Sequence, residues 1–309
     1  MKNLYIAIPL LFSLLFISCE DLLVKELELE EFDFESQLVI SGVIYNNTEE
    51  IAIYVAENSA ITSNYYNPEE SAVSDANVNV YKGSTLIGSP EYNPDQNIYF
   101  LSIAGSELTE GDYALEVSAG SFPDVRATTS IPNLVPLKEI EYIEDAGIHP
   151  NTLERSDAII ITFDDPDGKN FYGFNIISSQ LGVIMDTFIY NMDTTIFEYS
   201  PFIDIASNDP DVFLNDAGFL MPDDFFEGRE KSITLFIDAY DIDIAEIKEV
   251  LVISWENLSE EKYLFSRSLE LYQNSGDFGP FSEAVSVYTN VENGLGYFAG
   301  SHRSFYSLP

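Results

Sequence analysis

From Gln37 onward the chain is written in period two. Gln37–Ile44, Glu50–Ala56, Asn77–Tyr81, Asn97–Leu101, Asp112–Ser118 and Asp124–Ser130 are short runs rich in Val, Ile and Tyr, and apolar and polar residues mostly alternate within them. Successive side chains of an extended strand point to opposite faces, so this spacing predicts half-buried strands and excludes helices there. Asn46-Asn47, Asn67-Pro68, Lys82-Gly83, Asn93-Pro94 and Glu110-Gly111 fall between the runs and supply turn and loop chemistry. About seven strands in roughly 95 residues predict an immunoglobulin-like β-sandwich over 37–131. Ile131-Pro132 and Pro136 close it, because prolines withhold ladder donors and favour an extended connector.

Residues 132–309 predict a second β-rich domain. Ala158–Phe163, Phe171–Ile177, Ser232–Ile237 and Val250–Trp255 are its strongest strand runs. One helix is predicted near the C-terminal end: Asn257 as cap, Glu260 three residues on, Phe265, Leu269 and Tyr272 on one face, and Gly276 as terminator. The stretch from Ile205 to Glu230 reads as long, acidic, aromatic loops. The expected fold class is therefore mainly β, an N-terminal sandwich followed by a second β-rich domain with that helix.

The first residues predict an address. Lys2 precedes an apolar run from Ala7 to Ile17, and Ser18-Cys19 is followed at once by Glu20-Asp21. A basic end, a short apolar core and a small residue before cysteine make residues 1–18 a lipoprotein signal peptide, too short for a lasting membrane span. Cys19 then becomes the mature N-terminus and carries the acyl chains, which in combination make a stable anchor. Residues 19–36 read as a tether, because their carboxylates face only Lys25 and like charges keep a segment extended.

Composition limits the rest. Cys19 is the only cysteine, so lipidation leaves no disulfide and no thiol nucleophile. Fifty-three Asp plus Glu against 13 Lys plus Arg give a formal net charge of -40. Nucleic acid and anionic head groups repel such a body. Yet 46% hydrophobic and 14% aromatic residues are enough for packed cores, so the charge belongs to the surface.

Catalytic chemistry finds little in this sequence. His149 and His302 are the two imidazoles, and both read as solvated loop residues. Paired carboxylates suffice for a glycosidase, but a chain this acidic supplies pairs by chance. The glycines from Gly294 to Gly300 do not make a dinucleotide loop, since no βαβ unit can follow; they read as tight turns and close packing at a final hairpin. Asp164, Asp165 and Asp167, with Asn170, are candidate calcium ligands around a turn, although they lack the full EF-hand spacing. Asp209, Asp211, Asp216, Asp223 and Asp224 form a looser set. A solvated turn is the alternative for both.

The C-terminal stretch carries a resemblance. Gly279-Pro280-Phe281-Ser282-Glu283, Val287-Tyr288-Thr289-Asn290-Val291 and Asn293-Gly294-Leu295-Gly296-Tyr297-Phe298 resemble the closing signature of outer-membrane lipoproteins grouped as domain of unknown function 4249. The likeness extends to the lipobox, to Leu38–Gly42 and to Asp164–Tyr172. Pro280, Phe281, Asn290, Gly294, Gly296 and Phe298 are its signature residues here. Ala284 departs from it, where proline is expected. The acidic pair Glu20-Asp21 also resembles the export signal that sends lipoproteins of the Bacteroidota to the outer face of the outer membrane. The resemblance implies an accessory lipoprotein associated with a TonB-dependent outer-membrane transporter, lipid-anchored and facing the exterior.

The expected role is therefore non-enzymatic, capturing substrate for such a transporter or covering its mouth. A carboxylate-based hydrolase of surface glycans or peptides and a structural or adhesive surface module are the alternatives. Recognition by a sandwich falls to loops, so Tyr65, Tyr66, Phe213, Phe219, Phe225 and Phe226 are the expected contacts. The same rings packed beneath long loops are the competing expectation.

Overall fold

Alternation becomes strand close to where the sequence predicts it. The first runs form β1 (Leu38–Tyr45), β2 (Glu50–Glu57), β3 (Asn77–Lys82), β4 (Thr85–Gly88), β5 (Glu91–Asn93), β6 (Ile98–Ser102), β7 (Gly111–Ser118) and β8 (Val125–Ile131). An extended connector over 132–136 leads to β9 (Leu137–Ile148), β10 (Arg155–Asp164), β11 (Phe171–Ser178), β12 (Ile203–Ala206), β13 (Phe213–Asn215), β14 (Gly218–Pro222), β15 (Glu230–Ala239) and β16 (Leu251–Leu258). Helix α1 (Glu260–Ser275), β17 (Val291–Glu292) and β18 (Leu295–Ser307) follow. The computed structural model describes residues 34–46, 48–59, 71–103, 108–120, 122–178, 203–215, 218–239, 251–275 and 285–308. Cys19, Glu20, Asp21, Tyr65, Tyr66, Asp216, Pro280 and Phe281 lie outside the described residues. The protein is mostly β, with one described helix of this length near the C-terminus. No helix among the described residues is long and apolar enough to cross a membrane.

Three sheets make two sandwiches. A nine-stranded sheet runs β13-β14-β11-β16-β18-β1-β2-β6-β5, a five-stranded sheet β17-β8-β7-β3-β4, and a four-stranded sheet β12-β15-β10-β9. One half of the long sheet packs on the five-stranded sheet through Ile40, Ile53, Val80, Leu115 and Phe298. The other half packs on the four-stranded sheet through Ile159, Ile161, Phe163, Tyr172, Ile253 and Trp255. Each such side chain, fully buried, contributes about 1.5–3 kcal/mol.

The first sandwich does not close at residue 131. Val291 of β17 and Phe298 of β18 belong to its core, so the C-terminal end of the chain completes the N-terminal half. Strand β18 is the seam. Its first half pairs in parallel with β1, from Val39 opposite Leu295 to Tyr45 opposite Ser301. Its second half pairs antiparallel with β16, from Leu258 opposite Ser301 to Val252 opposite Ser307. Ser36–Pro309 accordingly form one compact unit. The glycine-rich end is not a hairpin: β17 pairs with β8 and β18 with β1 and β16, so the intervening turn passes from one sheet to another.

The helix begins later than predicted. Ser259, not Asn257, is the cap, its hydroxyl accepting the Lys262 N–H at 3.2 Å. Asn257 stays in β16, where its side chain meets the connector. The predicted apolar face packs only partly: Phe265 stacks on Tyr297 with centroids 3.7 Å apart, Tyr263 stacks on Phe171 at 4.5 Å, and Tyr272 is exposed.

Candidate functional site: an inter-loop cleft beside the helix N-terminus

The connector that links the two sandwiches is held by side chains. The indole N–H of Trp255 donates to the Val135 carbonyl at 2.8 Å, and the Val135 N–H donates to Asn257 Oδ1 at 2.8 Å. Residues 255 and 257 point to one face of β16, so together they imitate the edge of a pairing strand. The Leu137 N–H donates to the Tyr306 hydroxyl at 3.2 Å, and the His302 ring nitrogen Nδ1 lies 3.3 Å from the Pro132 carbonyl oxygen.

Against this connector lies the loop after β10. Its sequence, Asp164-Asp165-Pro166-Asp167-Gly168-Lys169-Asn170, forces a turn: Pro166 ends the ladder and Gly168 takes φ +101°, the left-handed region that suits glycine. Asn170 closes the turn, its amide donating to the carbonyls of Pro166 at 3.2 Å and Gly168 at 2.7 Å. The loop is then fastened to residues 223–229. The Asn170 N–H donates to Asp223 Oδ2 at 2.7 Å, the Gly228 N–H to Asp165 Oδ2 at 2.8 Å, and the Tyr172 hydroxyl to Asp165 Oδ1. Burial raises the Asp165 pKa above its ordinary value despite those two donors. Burial, with the Asp165 carboxylate next to it, also pushes Tyr172 up, so the phenol keeps its proton.

Connector, loop and helix start enclose a cleft of about 580 Å³. Leu134, Val135, Phe171 and Leu258 give it apolar walls, and Asp164, Asp167, Lys169 and Glu260 give it charge. Lys169 reaches Glu260 at 2.6 Å, and Lys138 bridges Asp164 and Glu230. Carboxylates outnumber ammonium groups around the mouth, so the cleft favours neutral polar or basic groups over anions.

The calcium ligands expected from the sequence do not converge. Asp164 pairs with Lys138, Asp165 accepts from Tyr172 and Gly228, and Asn170 spends its amide on the turn and on Asp223, while Asp167 is exposed. Two members of the second acidic set already have a cation. Lys231 Nζ lies 2.8 Å from both Asp209 and Asp211, over the face of Phe226. Burial acts to lower the Lys231 pKa, but the two carboxylates outweigh it and hold the ammonium above its ordinary value. Among the described residues no group of three or more His, Asp or Glu side chains is placed to hold a metal ion.

Two of the four expected contact rings among the described residues are core. Phe219, 4% exposed, stacks on Phe174 at 4.9 Å because Gly218–Pro222 is a strand paired on both sides, not a loop. Phe226, 5% exposed, meets Phe163 edge-on at 5.9 Å. Phe213 is half-buried under the Arg267 guanidinium. Of the expected contact rings among the described residues, Phe225 is the exposed one, at 72%. It projects from the 223–229 segment that is fastened to the cleft loop.

The histidines are not solvated either. His149 is fully buried, and its Nδ1 accepts the N–H groups of Asn151 and Thr152 at 3.3 and 3.4 Å. His302 is buried between the Pro132 carbonyl and the Glu110 carboxylate, 3.4 Å away. Proximity to chain turns suggested exposure, but the turns fold back onto the sheets. Sequence reasoning also missed Asn257 and Val135. Asn257 lies two residues from Trp255, a strand spacing that cap chemistry hid.

Asn290 and Gly294, two signature residues of the C-terminal stretch among the described residues, are structural. Asn290 acts as a strand partner: the Phe298 N–H donates to its Oδ1 at 3.0 Å, and its amide donates to the carbonyls of Phe298 at 2.8 Å and Thr128 at 2.9 Å. Gly294 lets the turn pass Leu38, whose carbonyl oxygen would lie 2.8 Å from a β-carbon. Fold and site thus define a mainly β double sandwich with a mixed, acid-rimmed cleft beside its connector. The chain belongs to the family described as Domain of unknown function (DUF4249), which matches residues 24–306. No curated protein matches it.

Proposed function

We propose that this protein is a non-enzymatic accessory lipoprotein of the outer membrane, anchored through Cys19, facing the exterior, and working with a TonB-dependent transporter by capturing substrate or covering the barrel mouth. The observation that carries the reading is Phe225, a large ring left in water on a segment clamped to the cleft loop by Asp223 and Asp165. An exposed ring on a rigid loop loses little freedom on docking, which is how recognition sites are built. Leu134, in the wall of the cleft, is a second exposed apolar side chain. The lipobox and acidic tether supply the location. Substrate capture would use the cleft, whose mixed walls suit a neutral or basic polar ligand.

A hydrolase reading has weaker support, since the buried carboxylates Asp165 and Asp223 are committed to hydrogen bonds that hold the loops. The deciding experiment isolates the native lipoprotein from detergent-solubilised outer membranes and identifies what accompanies it. A TonB-dependent transporter that is retained by the unmodified chain and lost with Phe225→Ala supports the reading. Absence of any transporter after cross-linking, or unchanged membrane fractionation of the Cys19→Ala chain, rejects it.

A further inference from the structure

Every sheet edge among the described strands is short except one. β13 and β5 have three residues each, β12 and β4 four, and β17 two. β9 has twelve, and no described strand pairs with its outer side. An edge of that length presents a row of backbone N–H and C=O groups, and proteins usually avoid one. We propose that the outer edge of β9 accepts an extended, basic segment of a partner polypeptide as an added strand.

The regular part of the edge runs from Glu139 to Ile143, opposite Thr162 to Ala158 of β10. Beyond it the ladder is bulged, and the Asp157 carboxylate takes the Asp145 N–H at 2.7 Å, so that end is closed. Within the regular part the two faces differ. Ile140 and Tyr142 turn toward the core of the second sandwich, while Glu139, Glu141 and Ile143 are exposed. No described cation pairs with Glu139 or Glu141. A strand laid along this edge would therefore extend the core with alternate apolar residues and set the residues between them beside two free carboxylates.

Charge selects the occupant. A second copy of this chain pairing antiparallel through β9 would bring Glu139 and Glu141 against their own counterparts, and like charges facing across strands are destabilising. Lys or Arg at the alternate positions converts the same pairs to attraction. The net charge of -40 would draw such a segment in and speed its encounter. The carboxylates thus keep acidic edges and other copies away while leaving β-augmentation open to a basic strand. This edge is distinct from the cleft, and the inference stands whatever anchors the chain.

The test uses the full-length protein in detergent and a short fluorescent peptide alternating Lys and Val, read by anisotropy. Two further peptides carry backbone N-methyl groups on alternate residues, in one phase or the other. The parent peptide should bind, one methylated phase should lose binding and the other retain it, since only every second N–H faces the protein in a strand pair. Glu139→Lys with Glu141→Lys should weaken binding about tenfold, leaving the unfolding midpoint unchanged because both residues are exposed. No binding by the parent, equal binding of both methylated peptides, or indifference to the double charge reversal would overturn the proposal, the last two revealing adhesion to an acidic surface without strand addition.

Discussion

Gly296 passes so close to Ile40 that a β-carbon at residue 296 would overlap the Ile40 carbonyl oxygen, and its φ of +95° is one that other residues rarely adopt. The contact lies where β18 begins to pair with β1, so strain there is felt by the first sandwich and the seam together. Gly296→Ala should cost about 3 kcal/mol or more, from overlap and backbone strain combined. Urea unfolding monitored by the fluorescence of Trp255 would check this, and an unchanged midpoint would contradict it.

Asn290 offers a milder lesion at the same seam. Asn290→Ala removes the partner of both backbone groups of Phe298 and of the Thr128 carbonyl. Leaving such groups unsatisfied costs about 1–3 kcal/mol. Thermal unfolding should fall accordingly, whereas Asn290→Asp, which retains the acceptor but loses the donor, should fall less.

Phe225 and Phe226 are neighbours with opposite roles. Phe226→Ala should destabilise by about 3–5 kcal/mol because it empties the cluster of Phe163 and Tyr172. Phe225→Ala should stay within about 0.5 kcal/mol of the unmodified protein. Separate denaturation curves for the two variants decide the matter, and equal losses would place Phe225 in the core.

The acid limb of stability should depend on Glu256. Burial acts to raise its pKa, but Lys262 and Arg303 outweigh it and hold it down to about 2 against an ordinary value of 4.5. Arg303 Nε is 2.8 Å away, and Lys262 reaches the second oxygen. A carboxyl that holds its proton less tightly when folded contributes fully above its unfolded value, and the contribution is lost as pH falls toward about 2. Glu256→Gln should flatten the stability profile between about pH 4.5 and 2 and, by leaving two cations uncompensated, cost about 3 kcal/mol at neutral pH. Midpoints measured across that range test both parts.

Chelation should do nothing to the body of the protein. Lys231 neutralises Asp209 and Asp211, and Asp165 and Asp223 are satisfied by donors. Unfolding temperatures in EDTA and in millimolar calcium should agree, while Lys231→Met should lower them by exposing two carboxylates to each other. A clear rise with calcium would show that the Asp164 turn binds an ion after all.

What the sequence revealed was local. The strands with clean alternation, such as Glu50–Glu57 and Gly111–Ser118, were readable almost to the residue, because one face meets a core and the other water. β9 was not, since Lys138, Glu139, Glu141 and Glu144 dilute the pattern on an edge with one face exposed. β14 was read as loop because all five residues are buried, which erases alternation. The candidate site was the least legible part. Phe219, Phe225 and Phe226 look alike in an acidic stretch, and only the pairing of β14 with β11 and β13 separates the exposed ring from the packed ones. Pairing of β1 with β18 joins opposite ends of the chain, and no local spacing encodes such a partner.

The shared strand also sets an order of assembly. β18 follows every other described strand along the chain, so synthesis reaches it after all of them. Until it arrives, β1 lacks its parallel neighbour and β16 lacks one of its two neighbours, so both sandwiches must wait with open edges. Long-range closure of this kind is slow and leaves sticky intermediates. The two sandwiches are therefore joined in a single late step, and loss of β18 would spoil the half made early as surely as the half made late.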